Sequence, residues 1–469
     1  MRAGISGTFV RLNELMDRNS KNVRELESAS IKSLLWKYFL PAFTGVVINS
    51  LYNVVDRIFI GQGVGAIALS GLSAVFPIML IMMAFGMLIG IGAGVRVSIN
   101  LGKKDFGRAE WVLGNSFVLM IIVSVIITVI GFSIKDPLLR MFGVGDDTMS
   151  VANEYLNIIL YGAIFSVVGF SLNNLIRSEG NAKIAMYSML ISAGTNVILD
   201  PIFIFVLDMG VAGAAYATII SQFILCIWVI RHFLGPKSII KLRLVNFKLN
   251  WQIVFYILTI GFAPFTMQLA GSFVQALFNI QLVEYSNDIA IAAMGIINSI
   301  AMLIVMTVVA LNMAAQPIFG FNYGAQNYAR VKECLILCMK AATGIVIVGF
   351  LGVQLFPELI VKAFNNSNAE LLQVGSHGLR IILLALPIVG FQVVVGNYFQ
   401  SIGKAGISVM LTLMRQVILL IPILFILPTY FGLNGVWFAS PISDVGSAIV
   451  SGAFLIRELR KLNRKIELQ

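Results

Sequence analysis

Long apolar runs interrupted by short polar breaks dominate the chain. Twelve can be marked, near residues 34–60, 66–99, 112–133, 155–178, 184–206 and 209–233. The second six lie near 252–283, 289–319, 334–356, 375–401, 406–430 and 433–457. A helix needs about 20 apolar residues to cross a bilayer, so each run predicts one spanning helix. Several are longer than 25 residues, which calls for tilt, a bend or extension past the bilayer. The runs are continuous rather than ten-residue alternations, which excludes an outer-membrane barrel. A polar tail at residues 1–30 precedes them. It lacks the apolar core and cleavage site of a signal peptide, and it reads as a cytoplasmic extension compatible with a short surface helix.

Composition agrees with this pattern. Of the 469 residues, 58% are hydrophobic and only 12% charged, about half the charged share of a soluble domain. Mean hydropathy is +0.92. The reading is an all-α integral membrane protein with twelve transmembrane helices. The net charge of +11 would suggest nucleic acid in a soluble protein, but its placement points elsewhere. With the N-terminus inside, the alternating topology puts 26 of 33 Lys and Arg on the cytoplasmic side, Lys404 and Arg415 of the loop between spans 10 and 11 among them. Five fall outside, and Arg96 and Lys340 lie within spans. This bias places both termini in the cytoplasm and removes nucleic acid as a partner. Cys226, Cys334 and Cys338, with two histidines, are too scattered for a disulfide framework or zinc site.

The chain is also duplicated. VSINLGKKDFGR (97–108) aligns with FGFNYGAQNYAR (319–330) at a spacing of 222. NNLIRSEGNA (173–182) aligns with GNYFQSIGKA (396–405) at 223, and MGVAGAAYATIISQ (209–222) with FGLNGVWFASPISD (431–444) at 222. Each half holds six spans, an even number, so the halves insert in the same orientation as two parallel six-helix lobes. The expected organisation is a tail at 1–30, an N-lobe at 31–234, a cytoplasmic linker at 235–250, a C-lobe at 251–457 and a tail at 458–469.

Carboxylates in mid-span cost about 2.5–3.5 kcal/mol on insertion scales and are functional candidates by default. Asp200, in TNVILDPIF, has Asn196 one turn before it on the same face. Pro201 lacks an N–H and leaves the Val197 carbonyl without its helical donor. The resulting all-oxygen set suits a hard cation, and it equally suits a proton, since a carboxyl group withdrawn from water is cheaper to keep neutral. Asp56 lies in SLYNVVDRIFIG with Tyr52 one turn earlier; it either faces inward or pairs with Arg57 at the interface. Asp444, in ASPISDVGS, either lines the second lobe or satisfies a Ser-rich helix contact. No phosphate-binding loop or nucleophile constellation appears, so ATP is not an expected partner.

Several segments together resemble the multidrug and toxic compound extrusion (MATE) family: PAFTGVVINSLYNVVDRIFIGQGVG, NNLIRSEGNAK, NVILDPIFIF, FGFNYGAQNYARV, YFQSIGKAG, LMRQVILLIPILFILP and ASPISDVGS. The stretch DRIFIGQGVGAIALSG looks most like its MepA-like branch. The resemblance implies a V-shaped antiporter of the bacterial cytoplasmic membrane. It would act as a monomer and exchange Na⁺ or H⁺ for small organic, often cationic, drugs. It carries a cation-coupling site onto Asp56, Asn196, Asp200 and Thr218, where Na⁺ would bind, with Tyr52 and Asn173 as neighbours. Pro41 matches a helix-bending proline, and Pro201 is a second bending point. Another branch of the family has acids in spans 7 and 10. Here span 7 offers Gln268, Gln275 and Gln281 and span 10 has no acid, so coupling is expected in the N-lobe, with Asp444, Gln268 and Gln275 as a polar site in the C-lobe. No cofactor beyond the coupling ion is implied. A lipid-linked saccharide flippase of the same superfamily is the alternative. It would be expected to carry several basic residues within its spans. An intramembrane prenyltransferase would need Asp-rich motifs that are absent.

Overall fold

A computed structural model describes residues 23–142, 144–286, 288–364 and 368–469, and all regular elements among them are helical. In chain order these are α1 (Ile31–Gly63), α2 (Ala66–Gly102), α3 (Phe106–Met141), α4 (Asp146–Tyr161), α5 (Ala163–Ser178), α6 (Ala182–Pro201) and α7 (Gly210–Leu234). There follow α8 (Trp251–Tyr285), α9 (Asp288–Gly324), α10 (Tyr328–Leu355), α11 (Pro357–Phe364), α12 (Ala369–Ile382), α13 (Leu386–Ser401), α14 (Ala405–Leu413), α15 (Leu420–Phe431) and α16 (Leu433–Glu467). Widened π turns interrupt two spans, Ile202–Val206 after α6 and Met414–Leu419 between α14 and α15.

Ten described helices or helix runs are long and apolar enough to cross a bilayer. Two bent pairs, α4 with α5 at 54° and α12 with α13 at 49°, bring the number to twelve, as the apolar runs predict. Each bend has a local cause. Gly162 joins α4 to α5 against the Ile219 side chain, where a Cβ would not fit. Pro387 sits in the first turn of α13, where its missing N–H costs nothing but prevents continuous helix from α12. The pattern of apolar runs does not predict the short α11.

The core is apolar, but so is much of the exposed surface, and several polar groups are buried. Ile122, Val125, Ile126, Val129 and Ile130 form an exposed stripe along α3, while Ser98, Asn100, Asn115, Ser171 and Asn173 are buried. Lipid is the solvent for such a stripe, and polar groups must find partners inside.

The chain divides into two compact units, residues 1–265 with 320–326, and 266–319 with 327–469. The division falls within α8, just after Pro264. Residues 235–250 pack onto the first unit. Asn115 on α3 donates to the carbonyls of Asn246 (3.1 Å) and Lys248 (3.2 Å) and accepts from the Asn250 amide (2.7 Å). The buried Glu179 carboxylate meets His232 and accepts from Ser238 Oγ (2.7 Å) and the Ile239 amide (3.0 Å).

The duplication is visible in the backbone. Lys104 and Gln326 adopt positive φ (59° and 60°) at a spacing of 222. Each is followed by a helix cap, Asp105 Oδ1 accepting from Arg108 N and Asn327 Oδ1 from Arg330 N. Gly180 and Gly403, at φ 90° and 78°, turn the chain after α5 and α13 in a conformation side chains disfavour. Within the first unit, Gly102 faces the Phe321 carbonyl and Gly324 the Ile99 carbonyl, reciprocally and too closely for a Cβ.

Arg415 is not in a loop: it sits in the π turn of the span running from Ala405 to Phe431. An arginine in an apolar run reads as a boundary, but here it has an intramembrane partner. The basic bias remains without it. The surface helix expected within 1–30 lies mostly outside the described residues, although 23–28 are helical and Leu26 is buried.

Candidate functional site

In the first unit, Asp56 approaches the end of α1 and Asp200 the end of α6. The π turn beginning at Ile202 widens the helix directly after Pro201, a local loosening that often accompanies functional sites. That turn lies against the end of α1. A Cβ on Gly63 would collide with Ile204 and Phe205, so the glycine lets the two helix ends close together. An apolar shell including Ile60, Leu72, Val75, Ile204 and Val211 surrounds the region.

Asp56 is 8% exposed and Asp200 fully buried, and their carboxyl groups lie close enough to interact directly. Asn196, one turn before Asp200, directs its Nδ2 to Asp200 Oδ1 (3.4 Å) and to Thr218 Oγ1 on α7 (3.5 Å). Tyr52 is close enough to both acids to feel their charge. The structure therefore brings Asp56, Asn196, Asp200, Thr218 and Tyr52 together. Arg57, next to Asp56 in sequence, lies over the Phe76 ring at 4.8 Å and forms no ion pair with Asp56 among the described residues.

Asp56 Oδ1, Asn196 Oδ1 and Asp200 Oδ2 are buried acceptors without a hydrogen-bond partner among the described residues. Such oxygens are costly to leave unsatisfied. Two carboxyl groups in contact away from water repel when both are charged, and a single proton or hard cation relieves them. The donors are all oxygen, and no cluster of three His, Cys, Asp or Glu occurs among the described residues. The set suits an alkali cation or a proton rather than a transition metal.

Asn173 takes a different place. Its Nδ2 donates to Ala185 O (2.8 Å) and Ser188 Oγ (2.6 Å), and its Oδ1 accepts from Arg177. None of these hydrogen bonds reaches the acid pair. Pro41 lies buried inside an α1 that continues to Gly63, and Pro201 marks the start of the π turn. Sequence reasoning missed Tyr155 on α4. It is buried and lies within interaction range of Thr218, Asp56, Asp200 and Tyr52. A tyrosine at the edge of an apolar run carries no signal of such a role.

In the second unit, Asp444 on α16 accepts from Arg415 Nε at 2.6 Å, and Ser443 Oγ donates to the Arg415 carbonyl at 2.6 Å. Gln275 on α8 accepts from Asn298 Nδ2 (3.0 Å), and the Gln268 carbonyl accepts from Ser272 Oγ (3.3 Å). No described hydrogen bond joins either glutamine to Asp444. Of the two sequence alternatives for Asp444, the structure shows a helix contact, made by an ion pair as well as by serine.

The MatE family model matches residues 41–202 and again 264–426, one match in each sequence half. The chain is 27% identical over 418 residues to the Staphylococcus aureus multidrug export protein MepA, covering 89% of this chain and 92% of that one. MepA of Staphylococcus haemolyticus is also 27% identical, over 434 residues, covering 92% and 95%. Among solved structures, a ligand complex of the MATE multidrug transporter DinF-BH aligns at a TM-score of 0.85 and 38% identity, covering 91% of this chain and 96% of that one. With twelve helical spans in a duplicated chain and matches across both halves, this multi-pass membrane protein belongs to the MatE family.

Proposed function

We propose that the protein is a secondary multidrug exporter that exchanges Na⁺ or H⁺ for small organic, often cationic, compounds. The observation carrying the coupling mechanism is the buried Asp56–Asp200 pair, which with Asn196 presents three unpartnered oxygens among the described residues. The multidrug export relatives and the multidrug transporter DinF-BH support the drug side. In this reading a cation enters from outside and binds between Asp56 and Asp200, with Asn196 and Thr218 completing an oxygen shell. Neutralising the pair relieves its repulsion, shifts α1 against the π turn and favours release of the drug outward. The membrane potential contributes about 2.3 kcal/mol per inward charge per 100 mV. The protein works as a monomer in the bacterial cytoplasmic membrane, with both termini cytoplasmic as the basic bias implies.

The test is export of a fluorescent organic cation from vesicles under a Na⁺ gradient or a pH gradient, imposed separately. Wild type should respond to at least one, and Asp56→Asn and Asp200→Asn should respond to neither. Intact coupled export in both variants removes the proposal. A lipid-linked saccharide flippase is the rival. Arg415 adds a basic residue within a span, but its guanidinium is bound to Asp444 rather than presented to an anionic lipid.

A further inference from the structure

Asp444 is a buried carboxylate of the second unit that the exchange does not use, and its surroundings indicate why. Asp444 lies eleven residues into α16, about 16 Å along the helix, with its side chain only 9% exposed. The elements packed on α16 carry several charged or titratable groups. His377 on α12 bonds Asn434, and Lys404 bonds Glu458; these sit ten residues before and fourteen after Asp444, about 15 and 21 Å away along the helix. Arg415 is the charged side chain that contacts Asp444 among the described residues. Its position is fixed twice, through Nε on Asp444 and through its carbonyl on Ser443. Arg415 lies within the π turn Met414–Leu419.

We propose that Arg415 is a tethered cation that keeps Asp444 out of ion exchange and so limits coupling to the first unit. The inference rests on the exchange reading above. A guanidinium covalently held to the span fills, for Asp444, the role that a mobile cation fills for Asp56 and Asp200. Because this tethered charge cannot leave for water, Asp444 contributes no exchanged ion. A guanidinium, whose planar fork matches a carboxylate, is suited to this task.

The experiment measures cations exchanged per drug molecule in reconstituted vesicles. It uses ethidium as the probe and balances its gradient against imposed pH and Na⁺ gradients. Arg415→Gln should raise the ratio by one cation per ethidium, because Asp444 becomes free to bind one. The double variant Arg415→Gln/Asp444→Asn and the conservative Arg415→Lys should keep the wild-type ratio. Asp444→Asn alone should also keep it, which leaves a test if Arg415→Gln fails to fold. An unchanged ratio in folded Arg415→Gln, or a lowered ratio in Asp444→Asn, overturns the inference. Wild type and Asp200→Asn in the same vesicles separate the two readings: no coupled export by wild type sinks the exchange mechanism itself. Coupled wild-type export lost in Asp200→Asn, with Arg415→Gln unchanged, sinks only the role of Arg415.

Discussion

Asp56 and Asp200 in the first unit and Asp444 in the second are treated in opposite ways. In the first, Asp56 and Asp200 face one another with no basic side chain bound among the described residues, and three acceptor oxygens there lack a partner. In the second, Asp444 is held by Arg415 at 2.6 Å. Both use a π turn, but in the first it follows the acid and in the second it carries the base. At the repeat spacing of 222, Asp56 and Asp200 correspond to Phe278 and Pro422, and Asp444 corresponds to Gln222. The duplicated scaffold kept its turns and caps while the acids arose at non-equivalent positions. Similar backbones can therefore hold one site whose positive charge must come from outside and another whose charge is built in.

The comparison breaks most easily at the acid pair. Asp200→Asn or Asp56→Asn should reduce cation-coupled dye export at least tenfold, measured as initial efflux rate at matched expression, with the folded protein retained because a repulsion is relieved. Next in size is the ion pair. Asp444→Asn leaves an arginine without its partner and should destabilise the detergent-solubilised protein by about 3 kcal/mol, the lower end for a broken buried pair because Arg415 is one-third exposed. Arg415→Gln/Asp444→Asn should recover most of that loss in the same thermal-unfolding assay; no recovery would mean the charge pairing is not what matters there. Tyr155→Phe removes a buried hydroxyl beside Thr218, an effect of about 1 kcal/mol. It should weaken the apparent affinity for the coupling cation several-fold, read from the ion dependence of export, with little change in unfolding temperature. The smallest effect is expected from Arg57→Gln. Arg57 lies over Phe76 rather than on Asp56, so the ion dependence should stay within about twofold of wild type. A larger change would make Arg57 a partner of the pair.

Part of this site can be read along a single helix. Asn196 and Asp200 are one turn apart, and Pro201 follows, so their shared face and the disturbed backbone beyond it are local consequences of helical periodicity. Tyr52 and Asp56 have the same relation on α1. Tyr155 is different. Its neighbour Thr218 lies 63 positions later, and nothing local distinguishes it from any tyrosine near a span end. Asn173 shows a different limit. Its expected place follows from family resemblance, yet packing commits its amide to Ser188, Ala185 and Arg177. Arg415 reads as a loop residue because a charge within an apolar run looks like the end of that run. Only the facing carboxylate, 29 residues away on another helix, makes its burial tolerable.

By itself the sequence determined the twelve apolar spans, the duplication and the few acids that a bilayer makes expensive, because each depends on hydropathy, helical period or direct repetition. The tertiary structure decided which of those acids stay without a basic partner. Asp56 meets Asp200 across 144 residues of chain, and Asp444 meets Arg415 rather than either glutamine of α8. Side-chain contacts between helices depend on their rotation and depth against one another, and a helical period fixes only neighbours three or four residues apart.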